Sequence, residues 1–338
     1  MDQFLGQLLV CPRDQTRLHQ DGDKLLCARG HQYPIYADLP VLLLDDIEQT
    51  AWWASSSIER AKQSYSLQSA ALDEGLVGID AYVQKIIGAT CGYLYGPLAG
   101  KLTEYPIPEL PLPPGSGQLF LDIGCNWGRW SIAAARKGYR VIGIDPHLDG
   151  VMAARRVAKQ LNVNCSFVVG DARYLPFRRQ AVDVAFSYSV IQHFSKENAR
   201  RALDSIAKVL APGGICLVQM PNRFGIRSFY HLARRRFAEG KEFDVRYYTV
   251  PELVRIFRSV FGNAEASVDG YFGLGIQPSD IHLLSRKHRI VVRASEILRK
   301  LSRSIPGMIY GADSIYIKSR FSPGGERSST AVADASSI

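Results

Sequence analysis

The sequence predicts an α/β protein built on a doubly wound, mostly parallel sheet, and three observations carry that prediction. Apolar runs suited to buried strands alternate with segments of helical periodicity, the connections between them are short, and three runs end on or beside a carboxylate, at Asp122, Asp145 and Asp171. Such alternation calls for crossover helices on both faces of a sheet. In sheets of this kind a ligand binds beyond the carboxyl ends of the strands.

Taken in order, residues 119–130 read LFLDIGCNWGRW: a strand, Leu119 to Ile123, a turn, Gly124-Cys125-Asn126-Trp127-Gly128, and a helix from Trp130. The glycines open the turn for close approach of a ligand. A dinucleotide-binding turn requires G-x-G-x-x-G; counted from Gly124, its second and third positions hold Asn126 and Arg129. Asn126 suits a position that wants left-handed backbone angles. Residues 140–145, RVIGID, form a second strand ending at Asp145, 21 positions beyond Gly124, where a strand-end carboxylate meets ribose hydroxyls. Residues 165–172, CSFVVGDA, give a third, and 182–188, VDVAFSY, a fourth that runs into Ser189 and His193. A helix over Ala199 to Leu210 follows, with apolar positions at Ala202, Leu203, Ile206, Ala207 and Leu210. Ala211-Pro212-Gly213-Gly214 ends it, Ile215 to Met220 is a fifth strand, and Asp313 to Lys318 suits the final one.

From about 116 to 270 these motifs, in this order, resemble the class I S-adenosylmethionine (SAM) dependent methyltransferases, whose first motif reads E/D-x-G-x-G-x-G; Asn126 replaces its middle glycine. The resemblance implies a Rossmann-like, seven-stranded, mostly parallel sheet over 116–320 and methyl transfer from SAM. It sets Gly124, Cys125, Asn126 and Trp127 against the methionine part, with Asp122 and Gly128 completing the motif. It sets Asp145 and Pro146 at the ribose, Asp171 and Ala172 at the adenine edge, and Ser189 at the methionyl side. His193, just after the fourth strand, is the candidate general base, since imidazole titrates near neutral pH; its alternative role is packing or hydrogen bonding at the pocket edge. His231, Tyr247 and Tyr248 are further candidates for the acceptor site.

The acceptor class narrows by exclusion. Enzymes that methylate nucleic-acid amino groups carry [DNS]-P-P-[YFW] after the fourth strand, where this chain has Ser187-Tyr188-Ser189-Val190. Cys216 lies inside a strand and does not suit a pyrimidine-attacking nucleophile. A small-molecule or lipid-like acceptor is the expectation. The alternatives are an RNA methyltransferase, which would bind RNA salt-sensitively, and a non-catalytic SAM-binding interaction protein, for which intact acids at Asp145 and Asp171 serve no purpose.

Residues 1–45 resemble the zinc-ribbon segments that precede some bacterial methyltransferases, with Tyr33-Pro34-Ile35 and Pro40-Val41-Leu42-Leu43 after the ligand knuckles. The resemblance makes Cys11 and Asp14 one ligand pair and Cys27 and His31 the other. Asp14 stands where the family has cysteine, and carboxylates are uncommon at structural zinc; the metal is therefore either held or lost with the ribbon kept by its core. Residues 50–105 read as a helical lid, with Trp52, Trp53, Tyr65, Tyr82, Tyr93 and Tyr95, and five prolines between 106 and 114 stiffen the entry to the catalytic domain. Residues 322–338, rich in Ser, Ala and Gly, are expected to be disordered.

The 338-residue chain carries a net charge of +9. A basic insertion over 223–248 and a basic helix over 286–303 hold much of it. The apolar positions of that helix, Ile290, Val291, Ala294, Ile297, Leu298 and Leu301, suit packing on the core; the other reading is contact with a membrane surface, nucleic acid or an acidic substrate. No run of 18 apolar residues is present, the N-terminus lacks a signal-peptide pattern, and six scattered cysteines suit a reducing compartment. A cytoplasmic location is the expectation.

Overall fold

The structure, a computed structural model, describes residues 3–50, 54–60 and 78–322. Trp52, Trp53, Tyr65 and the tail from 323 onward lie outside the described residues.

The strands are β1 (Leu18–Asp21), β2 (Lys24–Cys27), β3 (Gln32–Tyr36), β4 (Leu39–Leu42), β5 (Leu119–Ile123), β6 (Arg140–Asp145), β7 (Cys165–Gly170), β8 (Val182–Tyr188), β9 (Leu210–Pro221), β10 (Glu265–Gly270) and β11 (Ser314–Arg320). The helices are α1 (Gln3–Leu8), α2 (Ala81–Cys91), α3 (Arg129–Arg136), α4 (Leu148–Gln160), α5 (Lys196–Val209), α6 (Ile226–Arg234), α7 (Val250–Phe261) and α8 (Arg286–Leu301). Among the described residues, the strands join in one sheet of order β1-β2-β3-β4-β7-β6-β5-β8-β9-β11-β10. Pairing is parallel from β4 through β9, and β11 runs antiparallel to both β9 and β10.

Strand composition explains the layers. β5 is buried at every residue, as a parallel strand covered on both faces must be. Its alternate side chains diverge: Leu119, Leu121 and Ile123 enter a core shared with α5, α7 and the N-terminal segment, while Phe120 enters one shared with α3 and the 110–112 strap. The crevice between β5 and β6, with β7 and β8 alongside, faces the turns that follow these strands.

The expectation of seven strands counts only the catalytic part of this sheet. The N-terminal segment supplies four more: β4 pairs with β7 through Val41↔Val169 and Leu42↔Gly170, and Leu9 bridges to Phe177. That pairing covers the row of backbone donors and acceptors which β7 would otherwise leave open at the edge. Leu5, Leu9, Leu18 and Leu25 share the core of α5 and α7.

α8 forms where the periodicity places it but turns differently. Its buried residues are Val292 and Ser295, the latter accepting from the Tyr271 backbone N–H at 2.9 Å, whereas Ile290, Ile297 and Leu301 face outward. The expected core-facing stripe is therefore partly exposed, because the line through Val292 and Ser295 is the one that meets β10.

Candidate functional site

A cavity of about 1200 Å³ lies at the carboxyl ends of β5, β6, β7 and β8. It gathers seven of the residues expected at a cofactor: Gly124, Asn126, Asp145, Pro146, Asp171, Ala172 and Ser189. α2 walls it with Tyr82, Lys85 and Thr90, and α6 with Arg227, His231 and Arg234.

The turn after β5 is held by its neighbours. Gly124 has φ +80°, and a Cβ there would stand 2.1 Å from Val190 Cγ2, so glycine is needed for a side chain packed on it. Asn126 takes φ 44°, the left-handed conformation its side chain tolerates. Asp145 secures the turn from the next strand: one carboxylate oxygen accepts from the Asn126 N–H at 3.0 Å and the other from the His147 N–H at 2.9 Å. Burial raises the Asp145 carboxyl to about 6 despite those two donors. Ser189 is also left-handed, φ 58°, with its N–H and hydroxyl both donating to Gln219 Oε1 at 2.8 and 2.7 Å. Asp171 is paired within its own turn, accepting from Arg173 Nη2 at 2.6 Å and from Nε at 3.0 and 3.1 Å. Oδ1 also accepts from the Arg173 backbone N–H at 2.8 Å, so each Asp171 oxygen already takes two donors, whereas each Asp145 oxygen takes one and keeps a lone pair for a ligand.

Four motif residues do not line the cavity. Asp122 is 1% exposed and accepts from Ser131 Oγ at 2.6 Å, bracing the first turn of α3, and burial raises its carboxyl to about 7. Cys125 packs over Gly143, and Trp127 is buried with its indole N–H donating to Thr90 Oγ1 at 3.0 Å, beneath α2. Gly128 caps α3 at φ +81°, with Ala154 close to where a Cβ would stand. The motif divides into residues that face a ligand and residues that hold the turn in shape.

His193 lines the cavity, stacked on Phe243 with ring centroids 3.9 Å apart. Its Nδ1 donates to the Phe243 carbonyl at 2.7 Å, which leaves Nε2 as the acceptor, 3.4 Å from Gln192 Nε2. Burial lowers its pKa to about 4, so the ring is neutral at physiological pH and weak as a base. His231 and Tyr247 also line the cavity, whereas Tyr248 is buried in the core with its hydroxyl unpartnered among the described residues.

Some contacts around the site join residues whose pairing the sequence does not signal. The Tyr82 hydroxyl lies 2.9 Å from His147 Nδ1 and joins α2 to the start of α4. Behind the cavity, Arg129 pairs with buried Asp280 at 3.1 Å, and Tyr95 donates to the same carboxylate at 2.6 Å. That triad fixes the segment after α2 to the first turn of α3. A basic residue opening α3 beside Gly128 was visible in the motif, but its partner lies 151 positions away.

The donor set fits SAM. Asn126 Oδ1 and Gln192 Oε1 belong to cavity-lining residues, are buried, and lack a hydrogen-bond partner among the described residues. Orphaned acceptors of this kind call for a donor, which an ammonium or a ribose hydroxyl supplies, and the Asp145 carboxylate, with one donor on each oxygen, offers further acceptors along the same wall.

At the N-terminal segment the ligand atoms of Cys11, Asp14, Cys27 and His31 all lie within 4.8 Å of one another. His31 Nδ1 is 3.4 Å from Cys11 Sγ, 3.3 Å from Cys27 Sγ and 3.1 Å from an Asp14 oxygen. The other Asp14 oxygen accepts from the Thr16 N–H and hydroxyl at 2.9 and 2.5 Å, which holds the carboxyl below its ordinary range and turns one oxygen toward the cluster. Ligand atoms about 2.0–2.3 Å from one tetrahedral ion stand some 3.3–3.8 Å apart, so this donor set suits zinc.

Residues 120–214 match the family model described as a methyltransferase domain. Over 103 residues the chain is 38% identical to a probable tRNA methyltransferase 9B of Mus musculus, which covers 30% of this chain and 21% of the mouse protein. Over 110 residues it is 30% identical to a ubiquinone biosynthesis O-methyltransferase of Rhizobium etli, covering 32% of this chain and 44% of that protein. The chain thus spans less than half the length of either relative. A SAM-dependent methyltransferase from Methanosarcina mazei superposes with a TM-score of 0.43 at 19% identity, over 62% of this chain and 94% of that one. With its motifs in family order, this chain carries over residues 120–214 the methyltransferase domain that the family model describes.

Proposed function

We propose that the chain transfers a methyl group from SAM to a small-molecule or lipid-like acceptor. The observation that carries this reading is one cavity of about 1200 Å³, in which the cofactor-type residues Gly124, Asp145 and Asp171 share walls with His193, Arg227 and Tyr247. Enclosure by α2 on one side and α6 on the other supports an acceptor that enters the space, as a compact molecule or the reactive end of a longer one.

In this reading Asp145 holds ribose hydroxyls, Asp171 and Ala172 face the adenine edge, and Asn126 and Ser189 border the methionine part. SAM supplies an electrophilic methyl group. The protein's contribution is alignment, which in well-oriented reactions lowers a barrier by roughly 7–11 kcal/mol. His193 acts as a hydrogen-bond acceptor: its neutral Nε2, releasing the long 3.4 Å contact with Gln192 Nε2, orients an acceptor hydroxyl, whose proton passes to solvent as the methyl group bonds to oxygen and S-adenosylhomocysteine leaves. The test is transfer of labelled methyl from SAM into a total lipid extract, a panel of small phenols and amines, and bulk RNA. Label in the organic-extractable or small-molecule fraction supports the reading. Label confined to RNA sinks it in favour of the RNA alternative, and no transfer despite SAM binding favours the non-catalytic one.

We further propose that Cys11, Asp14, Cys27 and His31 hold a structural zinc ion. The convergence of their four ligand atoms supports it. Metal analysis of protein purified without chelator tests it: about one zinc per chain is expected, and none with the fold intact contradicts it.

A further inference from the structure

Exposed large apolar side chains are not scattered over this molecule. Ten of the twelve among the described residues lie in two segments, 224–237 and 290–310, each between 47% and 67% exposed. The same segments overlap the chain's two basic stretches. Residues 223–236 and 286–303 together hold twelve Lys and Arg against one acid, Glu296, a net +11; the rest of the chain therefore sums to −2.

Hydrogen bonds join the two segments at one place. Asn222 Nδ2 donates to the Tyr310 carbonyl at 2.8 Å, and the N–H groups of Arg227 and Ser228 donate to an Asp313 oxygen at 2.7 and 2.8 Å, stapling the start of α6 to the segment that follows α8. On α6, Ile226, Phe229 and Tyr230 point outward while Arg227, His231 and Arg234 line the cavity. On α8, the exposed line alternates charge and apolar bulk: Arg286, Ile290, Arg293, Ile297, Lys300 and Leu301.

We propose that the exposed sides of α6 and α8 together form one face that docks on an anionic phospholipid bilayer and lies in its surface. Cations attract the headgroups, and interleaved aliphatic and aromatic side chains enter the headgroup–acyl boundary, the signature of interfacial helices. Along α8 nucleic acid fits less well, because Ile290, Ile297 and Leu301 have no face for base stacking and no hydrogen bond to offer. Among the described residues no helix is long and apolar enough to cross a membrane, so the contact is peripheral. Because α6 forms both this face and a wall of the cavity, docking sets the cavity beside the lipid surface. The inference rests on the proposed lipid-like acceptor only for that last step.

Cosedimentation of the full chain, saturated with S-adenosylhomocysteine, with sucrose-loaded vesicles tests it. Binding to phosphatidylcholine containing about one third phosphatidylglycerol is expected, with little to phosphatidylcholine alone and a loss of roughly tenfold or more at high salt. Ile290→Asp with Ile297→Asp on α8, and separately Phe229→Glu on α6, should each weaken vesicle binding by roughly tenfold or more. S-adenosylhomocysteine titration of the same preparations reports folding and the cofactor site independently, and is expected to be unchanged. Equal binding to both vesicle types, no binding by the wild type, or wild-type binding by both sets of variants overturns the proposal. So does salt-sensitive binding of a short RNA that competes fully with the vesicles and is indifferent to those substitutions.

Discussion

The N-terminal cluster and the turn after β5 were both legible as spaced motifs, yet the structure uses their residues differently. All four members of the cluster bring a side-chain atom to one point, within 4.8 Å. Of the seven residues Asp122 to Gly128, only Gly124 and Asn126 line the cavity; Ile123 is buried in the core, and Asp122, Cys125, Trp127 and Gly128 support the turn from behind. A metal motif specifies side chains that converge, because an ion is bound by the side chains themselves. A nucleotide-type turn specifies a backbone shape, so many of its residues serve by packing where the ligand is not.

Substitutions separate the two modes. The largest effect is expected at Gly124, where Ala places a Cβ against Val190 and disfavours φ +80°. Titration calorimetry should show S-adenosylhomocysteine affinity falling by roughly a hundredfold, with a stability loss of about 1–3 kcal/mol. Next is the contrast between two buried acids. Asp145→Asn should cost roughly tenfold or more in the same titration, and Asp122→Asn less than about threefold, since Asp122 does not line the cavity and its carboxyl is raised to about 7. Equal losses at the two positions would erase the distinction between lining and bracing.

At the other motif, Cys27→Ser should abolish zinc and lower the melting temperature by about 2–4 °C or more, while S-adenosylhomocysteine affinity stays within about threefold. Asp14→Cys should do the reverse, holding zinc against a chelator roughly tenfold longer than the wild type. Retention unchanged by Asp14→Cys would remove Asp14 from the ligand set.

The same two buried acids set a pH dependence. Burial raises Asp145 to about 6 and Asp122 to about 7, both above the ordinary 3.8. The folded apoprotein therefore binds protons that the unfolded chain has released, so its stability is greatest below about pH 4 with respect to these groups and declines as pH rises to about 7. Cofactor affinity moves the other way: S-adenosylhomocysteine binding should weaken below about pH 6 as the Asp145 carboxylate is protonated. Chemical denaturation and calorimetry over that range read the two trends separately.

Much of this was written locally in the chain. The strand ends at Asp145 and Asp171 were legible because a buried apolar run followed by an acid has few other readings in an alternating pattern. Asn126 was legible because few side chains tolerate its backbone angle. What escaped depends on distant or rotational information. Val190 packing onto Gly124 and Asp280 pairing with Arg129 are contacts across 66 and 151 positions that no spacing encodes. Arg173, two residues from Asp171, takes up a carboxylate that would otherwise have been assigned wholly to a ligand. For α8, periodicity located the helix and its apolar stripe, but which line meets the sheet is decided by β10, leaving Ile290 and Ile297 outside. Likewise a ribbon of its own was legible at the N-terminus, whereas β4 joining β7 follows from an open edge visible only once the sheet is assembled.

The central claim is that the cavity at the ends of β5 to β8 holds SAM. Calorimetric titration of the wild type and of Asp145→Asn with SAM and with S-adenosylhomocysteine tests it most directly. Micromolar binding of both by the wild type, weakened by roughly tenfold or more in Asp145→Asn, is the predicted result. Folded wild-type protein that binds neither, or an Asp145→Asn variant that binds both as the wild type does, would contradict it.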